Sequence, residues 1–96
     1  MAIAYYRVKW YDKNNKAHRS QPSNLNDTRR KACTHIDNRT LYKNMVVIER
    51  SYPDSPKWHE IGMVFRQTGL RLYKADDEKQ SYIIDPKTGK IIGKWM

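Results

Sequence analysis

Tyr5, Arg7, Lys9 and Tyr11 recur at every second position near the start of the chain, with Ala4, Tyr6, Val8 and Trp10 between them. A period of two is that of a β-strand, so the first set shares a basic and aromatic face and the second an apolar one. Nucleic-acid-binding sheets use that first mixture, because rings stack on bases while cations meet phosphates. Tyr, Arg and Lys also serve an exposed antiparallel face that binds nothing, through β-propensity and solubility. The chain carries no RRM-like signature, so the likeness ends at residue chemistry.

Arg29-Arg30-Lys31 is the one basic triplet. On a helix these residues fan over about 200° and make no flat patch. Arg29 falls beside the apolar stripe, and Lys31 stands four residues after Asp27, a favourable intrahelical spacing. Arg30 is then the cation freest for a partner. Together with Arg19, Arg39 and Lys43 near the helix ends, the region is expected to form a broad positive surface.

Other chemistry is sparse. His18, His35 and His59 have no metal-ligand spacing, and the single cysteine, Cys33, forms no intramolecular disulfide or cysteine-cluster zinc site. On the helix stripe a free cysteine acts as a small buried hydrophobe. There is no phosphate-binding glycine loop, Walker sequence or nucleophile elbow, so no cofactor or metal is expected. Small ribosome-dependent ribonuclease toxins are likewise short, basic α+β proteins. Their chemistry uses Arg, Lys, Tyr and His, and Arg66, Arg71 and Tyr73 supply such types, but no ordered motif matches and those toxins open with more helix.

Nineteen Lys and Arg against ten acidic residues give a formal charge of +9, which favours nucleic acid, an anionic surface or an acidic protein patch. The excess is uneven. Residues 1–50 hold eleven basic and four acidic residues, and residues 51–96 hold eight and six. Ninety-six residues suit a single compact domain with a thin core, for which three Trp and seven Tyr offset a modest apolar content. No signal-like or membrane-spanning run is present, which points to the cytoplasm and to no membrane partner.

The elements that position these residues follow from periodicity and turn chemistry. Ala4–Tyr11 reads as a strand, Asp12–Lys16 as a turn, and Ala17–Ser20 as a short, less secure return strand. A helix begins near Leu25, capped by Ser23 or Asn26, carries Leu25, Ala32 and Ile36 on one stripe, and stops near Asn38. Met45–Ile48 is a strand, Tyr52–Pro56 a loop, and Trp58–Arg66 and Leu70–Ala75 are paired strands around Gln67-Thr68-Gly69. After the charged turn Asp76–Lys79, Tyr82–Ile84 and Lys90–Ile92 flank the clearest hairpin turn, Asp85–Gly89. The expected fold is α+β: an antiparallel sheet of five to seven strands with one helix on one face, in the order β-β-α-β-β-β-β-β.

The leading functional expectation is a non-enzymatic module that contacts nucleic acid or a nucleoprotein complex. A protein-directed phage or mobile-element factor, inhibiting a host nucleic-acid enzyme through an acidic surface, is the next reading. A ribonuclease is the third. No residue pattern demands an oligomer, although exposed sheet edges would allow one.

Overall fold

A computed structural model describes residues 3–37 and 45–95. Among these residues seven strands and one helix follow in chain order: β1 (Tyr5–Tyr11), β2 (Ala17–Arg19), α1 (Leu25–Asp37), β3 (Met45–Tyr52), β4 (Ser55–Gln67), β5 (Leu70–Ala75), β6 (Ser81–Ile84) and β7 (Ile91–Trp95). All neighbours pair antiparallel in one sheet, in the order β2-β1-β3-β4-β5-β6-β7. This is the α+β architecture that the element pattern predicts, with the second strand present though only three residues long.

The alternation in β1 sets the two faces. Val8 has Ile48 as its partner on β3, and both are fully buried. With Val46, Val64, Tyr73 and Ile84 they meet Ala32, Cys33 and Ile36 of α1, which forms the helix-side core. Arg7 and Lys9 point the other way, and their partners on β3 are Glu49 and Val47. That second face has no helix on it among the described residues. Farther along it, Leu72 lies between its partners Phe65 and Ile83 and is fully buried.

Two local expectations are corrected. The helix is capped by Asn24 rather than by Ser23 or Asn26: its Oδ1 accepts from Asp27 N at 2.8 Å. Ser23 Oγ instead bonds Thr28 Oγ1 at 2.8 Å, and Asn26 accepts from Arg29. The predicted loop over Tyr52–Pro56 shrinks to a tight turn, because Tyr52 pairs with Ser55 and β4 already includes Pro56. Proline is tolerated there because β5 pairs with β4 only from Gly62 onward, so the start of β4 has a neighbour on one side alone. The stop near Asn38 lies outside the described residues.

Arg29 ties the helix to the last hairpin. It is 6% exposed, donates from Nε to Gly89 O at 2.7 Å, and sets its guanidinium 5.3 Å from the centroid of Tyr73. Gly89 has φ +76°, and a Cβ there would lie 1.8 Å from Asn26 O and 2.8 Å from Arg30 N. The β6–β7 turn therefore seats directly on the first turn of α1. At the other end, Arg71 binds Asp37 Oδ1 through Nη2 at 2.9 Å. An aspartate in the last helical turn opposes the helix dipole, and this arginine offsets it.

Gly69 also has positive φ (+81°) but open space around its Cβ position. Gly69→Ala should thus cost about 1–2 kcal/mol from backbone strain alone. Gly89→Ala adds a backbone collision and should cost clearly more than Gly69→Ala in urea unfolding; equal costs would contradict the seating of the hairpin on α1.

Candidate functional site

Cross-strand pairing brings five of the nine sequence-expected binding residues onto one face. Tyr5, Arg7, Lys9 and Tyr11 line it from β1, and Arg19 joins from β2 as the partner of Lys9. Tyr5 is 46% and Tyr11 37% exposed. Trp58 of β4 extends the face, with the Arg7 guanidinium 4.0 Å from its ring centroid, and Lys9 Nζ lies 5.5 Å from the Tyr11 ring. Cations over aromatic faces are held by the ring quadrupole, which orders both partners.

Glu49 organises the cations. It is buried, opposite Arg7 on β3, and its Oε1 accepts from Arg7 Nε at 2.7 Å. Arg19 Nε lies 3.9 Å from the same oxygen. Both guanidiniums thus approach through Nε, and their Nη groups make no hydrogen bond among the described residues. Glu60, the partner of Glu49, stands 3.7 Å from Lys9 Nζ. Three cations and two carboxylates therefore share this part of the sheet, a far smaller excess than the whole-chain charge suggests. Lys13 and Lys16, exposed in the β1–β2 turn, add positive charge beside Tyr11.

The helix residues fare differently. Arg29 is not a partner-facing cation, because the Tyr73 ring and the β6–β7 turn enclose it; a stripe-edge position on the helical wheel underestimates such burial. Arg30, expected to be the freest cation of the triplet, pairs with Asp27 at 2.7 Å, and Lys31 lies 3.9 Å from the same carboxylate. Arg39 and Lys43 lie outside the described residues. Arg66, Arg71 and Tyr73 share the helix side of the sheet, where Arg71 is engaged by Asp37. Tyr73 is buried, and that burial raises its hydroxyl pKa, with Arg29 opposing. Cys33 is a buried free thiol whose pKa burial pushes up to about 11, far from a reactive thiolate.

The fold makes one cluster that sequence distance conceals. Trp10 stacks on His35 of α1 at 3.8 Å between ring centroids and on His18 of β2 at 5.4 Å. His18 Nε2 lies 2.7 Å from Asp12 Oδ2, while Asp12 Oδ1 accepts from the amides of Asn14 and Lys16. The alternation that puts Trp10 on the helix side was the only available signal. Among the described residues no three His, Cys, Asp or Glu side chains are grouped to hold a metal ion, and no helix is long and apolar enough to cross a membrane. Set against protein-family models, curated proteins and solved structures, the chain matches none.

Burial first, and then the neighbouring His18, lower the His35 pKa below its ordinary 6.5. The unfolded chain then binds that proton more readily, so stability falls as pH drops through 6.5 toward the folded value. Asp12 acts in a separate window. The His18 hydrogen bond, followed by the Lys16 amide, holds its pKa below 3.8, so its contribution is present above that value and is lost as pH falls through the folded pKa. Urea unfolding at a series of pH values should show both losses, and His35→Gln should flatten only the upper one. An unchanged profile in that variant would refute the assignment.

Proposed function

We propose that this protein is a small cytoplasmic, non-enzymatic binding module that contacts nucleic acid, free or within a nucleoprotein complex, through the open face of its sheet. The observation that carries this reading is the union of exposed rings and anchored cations on one surface. Tyr5 and Tyr11 offer exposed π-faces beside the half-buried Trp58. Glu49 holds the Arg7 guanidinium through Nε with Arg19 3.9 Å away, and the Nη groups of both arginines make no hydrogen bond among the described residues. An arginine held through Nε keeps its planar fork for a phosphate, at a smaller entropic cost than a freely rotating side chain. The overall +9 supplies the long-range attraction that brings a polyanion to the face.

The pairing with Glu49 decides which variants are informative. Removing Arg7 would leave a buried carboxylate short of its closest partner, and would mix folding with binding. Arg19 is 44% exposed at its side chain and more distant from Glu49, so Arg19→Ala is the cleaner probe.

Affinity for labelled single-stranded RNA and DNA, measured by fluorescence anisotropy, should fall linearly on logarithmic salt axes. Arg19→Ala should reduce that slope by about one. Tyr5→Ala and Tyr11→Ala should each weaken binding by about 1–3 kcal/mol per lost stack and leave the slope unchanged. Salt-independent affinity, or none at low salt, would sink the reading.

A further inference from the structure

A pocket of about 330 Å³ opens on the helix side of the sheet, opposite the basic and aromatic face, where α1 begins. Leu25 of the first helical turn lines it together with Tyr6, Ile61 and Tyr73 from three strands. Three features of the backbone and core build it. The register shift in the β3–β4 pairing matches Ile48 with Gly62 and Glu49 with Glu60, which leaves Ile61 as the extra residue of a bulge. Bulges of this kind re-aim side chains beside functional sites. Gly62 then makes room for the Tyr73 ring, because a Cβ there would stand 3.1 Å from Tyr73 Cε1 and 2.7 Å from Lys74 O. Finally, Asp76 N donates to Ile61 O at 2.8 Å, which clasps the turn after β5 to the bulge and brings Asp76 and Asp77 to the pocket.

The polar groups are unevenly served. Arg50, the β3 partner of Tyr6, also lines the pocket, and its guanidinium lies 5.1 Å from the Tyr52 ring centroid. Its Nε is buried and meets no hydrogen-bond acceptor among the described residues. That Nε is closed off from the pocket, but the guanidinium as a whole has no hydrogen bond or ion pair among the described residues, and a guanidinium prefers a carboxylate above other acceptors. Asp76 and Asp77 are exposed and so stand at the mouth, and neither forms an ion pair with Arg50. Glu60 also borders the pocket, but its carboxylate lies on the other side of the sheet, 3.7 Å from Lys9 Nζ, so the acidic mouth is that of Asp76 and Asp77. A phosphate-bearing polyanion would meet that acidic mouth unfavourably. A ligand with a single carboxylate inward and a cation outward satisfies both ends, while Leu25, Ile61 and the tyrosine rings accept an apolar body between them.

We propose that this pocket binds a small amino carboxylate, its carboxylate on Arg50 and its ammonium toward Asp76 and Asp77. This site is independent of the nucleic-acid reading and lies on the other side of the sheet. The test is titration of the intact chain with β-alanine, γ-aminobutyrate, 5-aminopentanoate and 6-aminohexanoate, followed by amide chemical shifts and calorimetry. At least one should bind with Kd below about 1 mM and perturb the amides of Ile61, Ala75 and Asp76. The matched amine without the carboxylate, and the acid without the ammonium, should each bind at least tenfold more weakly. Arg50→Gln should abolish the preference over the amine, and Asp76→Asn with Asp77→Asn the preference over the acid. If Arg50→Gln does not fold, the comparison of amino acid with amine and acid on the unaltered chain decides alone. No perturbation of those amides by any of the four at about 10 mM, or an amine that binds as tightly as its amino acid, overturns the proposal.

Discussion

A helix with its side chains is about 10–12 Å wide, while seven strands spaced about 4.8 Å apart make a sheet nearly 30 Å across. One α1 therefore reaches only part of the surface: it packs on β1, β3 and β4. The remainder is closed by other means. The β6–β7 turn folds back onto the first turn of α1, where Arg29 and Gly89 lock together. On the second face Phe65 and Ile83 flank Leu72, with no helix over them among the described residues. The unequal cover also explains why the chain has a wet, charged face at β2-β1-β3 and a pocket at the edge of the helix.

Local chemistry was legible where it is decided locally. The alternation of β1, the positive φ of Gly89 and the apolar stripe of α1 follow from residues within a few positions of one another, and the structure follows them. Misreadings arose where a neighbour distant in sequence decides. Asn24 lies among several good capping residues, and only the realised helix start selects it. Pro56 argued for a loop until the overhang of β4 beyond β5 removed the penalty. The burial of Arg29 depends on a turn sixty residues away. Glu49 gave no warning at all, because a lone acidic residue in a strand acquires meaning only when Arg7 is placed opposite it.

That carboxylate also tempers the argument from composition. A net +9 describes attraction at a distance, whereas contact is governed by what each cation already touches. On the open face Arg7, Lys9 and Arg19 all have acidic neighbours. Charge pairing here trades raw potential for orientation. It sharpens the geometry that a ligand would meet and reduces the field that it would feel.

Among the described residues the sheet is open, with β2 at one end and β7 at the other. β7 carries Ile91 and Ile92, 42% and 66% exposed, on an outer strand whose backbone resembles a template for another chain. Lys90 and Lys94 flank those isoleucines and are themselves exposed. Such lysines act as gatekeepers against edge-to-edge growth, since two copies approaching strand to strand bring like charges together. Charge at this edge thus opposes the pairing that its exposed isoleucines would otherwise favour.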